Sequence, residues 1–292
     1  MNASEAISAI NQRLGTSYKI VGRYGQGESG AVSQIADAVS KVIDEAGNRY
    51  VLKIGKLLDF NPKRVAESTQ IMRRLGYPAP EYVAHGAIPQ SGVYTLQREM
   101  RGEPIGQRVS LALLPQLLAL NDLQRGQGES NNDHIDHLID SVMVGCPNFC
   151  NIHTLRTYSV ESATMLDSLQ RIVTASAHEC PQRNDIVHFD FHTNNVLIEH
   201  ERVTGVIDWE GSRSGDCAFD LATMLFYTWP FEGFRDRLWR ALLERTSQGA
   251  VAIYLAHMIV RQLDWSMPFH DAATVANYMN VARAVIREIE QL

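Results

Sequence analysis

Ile186-Val187-His188-Phe189-Asp190-Phe191-His192-Thr193-Asn194-Asn195 is the stretch on which the reading of this chain turns. It sets a carboxylate, Asp190, five positions before an amide, Asn195. A second acid, Asp208, follows eighteen positions after Asp190, within Val206-Ile207-Asp208-Trp209. Asn and Asp gather in turns for backbone reasons alone, so residue type decides little here. Order and spacing decide more.

Those three side chains suit phosphoryl transfer. The transferring group spreads negative charge over its oxygens, and the protein must supply cations and alignment more than covalent chemistry. An amide oxygen from Asn195 and a carboxylate from Asp208 are the hard ligands that magnesium prefers. Asp190 needs no raised pKa: it can orient an acceptor hydroxyl and take its proton late. In kinases the aspartate, the asparagine and the metal-binding aspartate follow in this order.

The N-terminal part extends the pattern. Gly25, Gly27, Gly30 and Val32 follow G-x-G-x-x-G-x-V, a loop whose amides, with or without the Ser29 hydroxyl, would hold phosphate. After the turn signal Ala46-Gly47-Asn48, the run Arg49 to Ile54 reads as a strand ending near Lys53, which is placed to contact nucleotide phosphates. Its partner should be a helical glutamate, and Glu67 is the only glutamate between Ile54 and Pro80. Val65, Met72 and Leu75 fall on one face of that helix.

Taken together, the chain resembles the aminoglycoside phosphotransferase group, a small-molecule branch of the protein-kinase-like fold. The resemblance rests on His188 to Asn195, on Gly205-Val206-Ile207-Asp208-Trp209-Glu210, and on Gly215-Asp216-Cys217-Ala218-Phe219-Asp220-Leu221-Ala222. The last block discriminates, because protein kinases place a long activation loop ending in A-P-E there, and no A-P-E follows Asp208. The resemblance implies an α+β, bilobal fold. A small β-rich N-lobe with one main helix would span residues 1–100, with a hinge at about 97–103, and a mainly helical C-lobe would span 104–292. It implies ATP or GTP with Mg²⁺, a nucleotide edge held near Gln97, Glu99 and Met100, an orienting role for His188, and Asp220 as a brace of the catalytic loop.

Composition agrees. A chain of 292 residues with 45% hydrophobic and 21% charged content is ordinary for a folded enzyme. The net charge of −6 argues against a nucleic-acid partner. The longest apolar run, Ala250 to Val260, is too short to span a membrane and is followed by Arg261 and Gln262, so it reads as a buried helix. Met1 to Leu14 shows no basic start followed by an apolar run. The expectation is a cytoplasmic chain with reduced thiols at Cys146, Cys150, Cys180 and Cys217.

The acceptor is expected to be a small cationic molecule. An antibiotic leads: an aminoglycoside or a cationic peptide of the viomycin and capreomycin kind, ahead of a macrolide. Glu210, Asp264, Asp271, Asp133 and Asp136 are the acidic candidates for its pocket, against the alternative that each is a solvated face or a cap. Tyr254, Trp265 and Phe269 are candidates for an apolar wall or for core. Two other readings stay open: a kinase of an amino alcohol, sugar or amino acid, and a nucleotide-binding regulator without transfer.

Overall fold

The run from Ala250 to Val260 is buried at every position. A helix apolar all round has to be wrapped by others, and it sits inside α9 (Gln248–Phe269), against which most neighbouring helices pack. The structure is a computed structural model that describes residues 3–24, 39–55, 61–88, 92–130, 132–146 and 149–292. The glycine-loop residues Gly25, Gly27, Ser29 and Gly30 lie outside the described residues.

The elements run α1 (Ala3–Leu14), β1 (Lys19–Arg23), β2 (Val39–Ile43), β3 (Arg49–Gly55), α2 (Pro62–Arg74), β4 (Tyr82–Ile88), β5 (Gly92–Arg98) and β6 (Glu103–Pro104). Then come α3 (Leu114–Leu123), α4 (His134–Met143), α5 (Ile152–Tyr158), α6 (Val160–Ser176), β7 (Asp185–Val187), β8 (Val196–Glu199) and β9 (Arg202–Val206). The chain ends with β10 (Arg213–Gly215), α7 (Ala218–Tyr227), α8 (Glu232–Leu243), α9 and α10 (Ala272–Ile289). They divide into two compact units, residues 1–104 with 195–212, and residues 105–194 with 213–292. The strand pair that carries Asp208 therefore belongs with the N-terminal β-rich unit.

In the first unit an antiparallel sheet runs β1-β2-β3-β5-β4. Ala6, Ile7 and Ile10 of α1 pack on Val42, Tyr50, Leu52, Ala84, Tyr94 and Leu96 of the sheet. Burial of that apolar face is the main force holding helix to sheet. On α2 the Asn61 side chain accepts from the Lys63 and Arg64 amides, Pro62 starts the first turn, and Val65, Thr69 and Met72 form the buried stripe. Leu75 departs from its expected place on that stripe: it is the C-cap and is 41% exposed. A second small sheet runs β6-β8-β9.

In the second unit α4, α5, α6, α7 and α10 pack around α9. Leu166, Leu169 and Val173 of α6 are fully buried, as their spacing predicts. On α10 the buried positions are Val275, Met279, Ala282, Val285, Ile286 and Ile289, while Val281, and Leu292 beyond the helix end, are only partly covered. α4 begins at His134. A two-stranded ribbon, β7 with β10, leads into the turn that holds Asp190.

Candidate active site

Two sets of side chains occupy the positions the motifs single out, one in each unit. The first centres on Lys53. Its strand, β3, is central, pairing with β2 on one side and β5 on the other, so Lys53 has a fixed origin. Its Nζ donates to Asp208 Oδ1 at 2.8 Å and to Glu210 Oε2 at 2.9 Å. Burial works against the ammonium charge, yet the two carboxylates outweigh it and raise the lysine pKa. Burial also pushes the Glu210 carboxyl up, to about 7, opposed by Lys53.

Glu67 is not the partner of Lys53. It is exposed and lies 3.7 Å from Lys63 on its own helix. The cause is angular: at 100° per residue, position 67 stands about 200° from Val65, on the face opposite the buried stripe. The glutamate that Lys53 meets is Glu210, an acceptor candidate from the sequence.

Asp208 itself has a left-handed backbone, φ 70° and ψ 57°, which ends β9 and starts a single helical turn, Trp209–Gly211. Trp209 anchors that turn. It is fully buried, its indole N–H donates to Val206 O at 2.8 Å, and its ring meets Tyr77 edge-on at 5.4 Å. Asn195 is held nearby in register, because the Ile207 amide donates to its carbonyl at 2.9 Å and Val196 pairs with Val206. These oxygen donors fit a hard divalent ion in type.

The nucleotide-edge candidates fall at the end of β5. Gln97 is buried, and its Oε1 has no hydrogen-bond partner among the described residues. The Glu99 carboxylate is engaged by the Tyr24 hydroxyl at 2.5 Å and by Arg49 at 2.6 Å, so its side chain fastens β1 to β3. Met100 packs on Gly205, where any Cβ would crowd it at 3.2 Å.

The second set centres on Asp190, in the turn after β7. Phe189, just before it, has φ 73°, a conformation that costs a non-glycine residue about 1–2 kcal/mol. Asp220 holds it there. Its Oδ1 accepts the Phe189 amide at 2.9 Å, and its Oδ2 accepts the His188 amide at 2.8 Å and the Gln124 side chain at 2.6 Å. The Phe189 ring stacks on Phe219 at 4.9 Å, with the Arg213 guanidinium 4.1 Å over it. His188 Nδ1 accepts the Asp190 amide at 3.2 Å, which is the geometry of an orienting residue.

The Asp190 carboxylate meets Arg261 Nη2 at 2.6 Å and His192 Nε2 at 3.4 Å. Burial alone would favour its neutral form; Arg261 and then His192 reverse that and hold it well below the usual carboxylate range. It is therefore ionised at neutral pH. Arg261 was read in the sequence only as the end of an apolar run.

The remaining acidic candidates divide. Asp264 accepts the Asn151 amide at 2.9 Å and the Thr154 hydroxyl at 2.6 Å, fixing the start of α5. Asp271 is the N-cap of α10 and accepts the Thr274 amide at 2.7 Å. Both engagements are structural, so these two carboxylates are committed to helix ends. Asp133 and Asp136 are exposed at the start of α4. Tyr254 is core, its hydroxyl on Asp216 Oδ2 at 2.9 Å, whereas Trp265 and Phe269 form an exposed ring pair at 4.7 Å. Asp185, Asp216 and Cys217 bring their ligand atoms within 4.8 Å, but the carboxylate oxygens already accept from Gly126, Cys217, Ala218, Thr246 and Tyr254.

Known proteins share this arrangement of elements. Residues 151–253, which include Asp190, Asn195, Asp208 and Asp220, match the phosphotransferase enzyme family. Over that stretch the chain is similar to this family. Hygromycin-B 4-O-kinase of Escherichia coli is 26% identical over 228 residues, covering 70% of this chain. The match spans 61% of that kinase's length. A thermostable mutant of aminoglycoside phosphotransferase APH(4)-Ia, solved with AMP-PNP and hygromycin B, has TM-score 0.65 at 21% identity, covering 98% of each chain. Amicoumacin kinase, solved with AMP-PNP, Ca²⁺ and its antibiotic, has TM-score 0.64 at 12% identity, covering 99% of this chain and 94% of that one. The chain thus has a kinase-like fold, a β-sheet unit and a helical unit as the sequence implied. Among the described residues no helix is long and apolar enough to cross a membrane.

Proposed function

We propose that this protein transfers the γ-phosphoryl group of ATP or GTP to a hydroxyl of a small cationic antibiotic and thereby confers resistance. An aminoglycoside of the hygromycin type is the leading acceptor, supported by the curated relative, with cationic peptide antibiotics next. The observation that carries the reading is Asp190, ionised in a turn braced by Asp220 and placed five residues before Asn195.

In this reading Asp190 accepts a hydrogen bond from the acceptor hydroxyl, aligns it, and takes its proton as the O–P bond forms. Lys53, held by Asp208 and Glu210, meets nucleotide phosphate oxygens. Asn195 and Asp208 are the residues that would hold Mg²⁺. When bound, the ion would neutralise charge between the phosphates. Gln97, Glu99 and Met100 would hold the nucleotide edge through their backbone, and the Gly25 to Gly30 segment would cover the phosphates. Exposed Asp133 and Asp136 remain the acidic candidates for a cationic acceptor. A cytoplasmic setting, where nucleoside triphosphate is available, completes the proposal.

Expression in a sensitive bacterium tests it. The wild-type gene should raise the inhibitory concentration of one antibiotic class, and Asp190→Ala should abolish the rise. Protection that survives Asp190→Ala would sink the transfer reading. No protection against any antibiotic class would leave a metabolite kinase as the better account.

A further inference from the structure

Arg261 is the one charged side chain of α9 that reaches the catalytic turn, and no motif in the sequence marks it. It follows directly on the buried stretch 250–260, so its Cα has the fixed position of the most enclosed helix in the unit. The side chain is 18% exposed. Nη1 donates to the Phe189 carbonyl at 2.9 Å and Nη2 donates to Asp190 Oδ1 at 2.6 Å. Its planar face lies near the Phe149 and Phe189 rings, at 5.2 and 5.7 Å.

A buried guanidinium is costly unless matched, and removing one partner of such a pair strands the other charge. Here the match is divided between two consecutive residues, a peptide carbonyl in a left-handed turn and the carboxylate next to it. Asp220 holds the amide side of Phe189, and Arg261 holds the carbonyl side. The two together fix the peptide planes on both sides of the Phe189 Cα. A lysine could reach one of the two acceptors but lacks the planar fork that reaches both.

We propose that Arg261 is a positioning residue for the transfer reaction: it locks the Asp190 carboxylate and the Phe189 peptide to α9, so that a single rotamer of Asp190 faces the acceptor hydroxyl. This rests on the reading of Asp190 as the residue that receives the acceptor proton. Arg261 itself touches neither acceptor nor nucleotide in this scheme. It acts through the carboxylate, by direction and by keeping it ionised. The other titratable groups around the pair are His188 and His192 on the turn, Asp220 and Tyr227 on α7, His257 on α9, and Cys150.

The test uses Arg261→Met, which keeps much of the apolar stem, and Arg261→Lys, which keeps the charge. The first readout needs no acceptor: carboxyl ¹³C titration of the intact protein, with Asp190 assigned by difference from Asp190→Asn. The wild-type Asp190 signal should stay flat from pH 4 to 8, whereas in Arg261→Met it should titrate within that window. The lysine variant should stay flat yet show a displaced carboxyl signal. A flat, unshifted signal in both variants overturns the clamp.

The second readout is turnover with the acceptor that the wild type modifies. Arg261→Met should lower kcat by roughly 10²-fold, the size expected from misplacing a reacting group by an ångström. The KM for nucleotide should stay within about two-fold, the acid limb of the pH profile should move up, and Arg261→Lys should recover part of the loss. In an Asp190→Ala background Arg261→Met should cost nothing further. Unchanged or raised kcat in Arg261→Met, or losses that add to those of Asp190→Ala, overturns the proposal. Should the wild type modify no acceptor, the functional reading fails and the titration still decides the clamp. If Arg261→Met does not fold, the lysine variant carries both readouts.

Discussion

Replacing Asp220 by asparagine removes one acceptor from a buried site that satisfies three donors. Oδ2 takes the His188 amide and the Gln124 side chain, and Oδ1 takes the Phe189 amide. An asparagine offers one oxygen and one NH₂. With the oxygen on the Oδ2 side, the Phe189 N–H faces an NH₂ and is left without a partner. The opposite orientation strands two donors, and Gln124 cannot readily turn its own amide, because its Oε1 accepts from Asn121 and its Nε2 also donates to Ile186 O. One stranded buried donor costs about 1–3 kcal/mol. Asp220→Asn should therefore lose that much stability in urea unfolding followed by far-UV circular dichroism.

Asp220→Ala strands all three, roughly 3–9 kcal/mol by the same count, which overlaps the whole stability of an ordinary domain. That variant should fold poorly or not at all. The asparagine variant should also lose turnover out of proportion to its stability, because the left-handed Phe189 backbone, held against about 1–2 kcal/mol of strain, is free to relax. A loss below about 0.5 kcal/mol, within the range of an ordinary surface substitution, would refute the brace.

Three further outcomes follow from the geometry. Glu67→Gln should leave kcat within about two-fold of wild type, while Glu210→Gln should lower it by roughly 10- to 10²-fold, since Lys53 is held by Glu210 and not by Glu67; steady-state kinetics of the two variants decides between them. Asp271→Ala should cost about 1 kcal/mol through loss of an N-cap and leave the acceptor KM unchanged, which thermal unfolding and kinetics read together. Tyr254→Phe should cost about 1–2 kcal/mol, because the buried Asp216 loses one of the two hydroxyls it accepts from, and a neutral result in denaturant unfolding would show that the Tyr254 hydroxyl does not anchor this carboxylate.

The parts of the site that lie close together in sequence were legible from it. Asp190, Asn195 and Asp208 fall within one turn and one hairpin, so their spacing alone orders them, and Asp220 follows on the next helix. Lys53 was legible through its strand, but its partner was not. Choosing Glu67 required knowing which face of α2 is covered, and the stripe of Val65, Thr69 and Met72 turns position 67 to solvent. Arg261 was hidden for a different reason: its contact with Asp190 spans 71 residues and is fixed by helix packing, which no local pattern encodes. Asp264 and Asp271 show the converse. Asp271 caps its own helix and Asp264 reaches the start of α5, 113 residues away; acids are favoured at helix starts by the orphan amides, and acidity alone does not separate that use from an acceptor pocket. The bilobal pattern was visible in the strands and helices, whereas the grouping of residues 195–212 with the β-rich unit depends on hydrogen bonds that sequence does not show.

The most direct test of the central claim is transfer itself. Purified protein would be incubated with ATP or GTP and Mg²⁺ against hygromycin B, other aminoglycosides, cationic peptide antibiotics, macrolides and amino-alcohol metabolites, with phosphorylated product detected by mass spectrometry. The account predicts a monophosphorylated product of one cationic antibiotic class, lost on chelation of the metal and lost in Asp190→Ala. Product formation that persists in Asp190→Ala, or product from a metabolite alone, would contradict it.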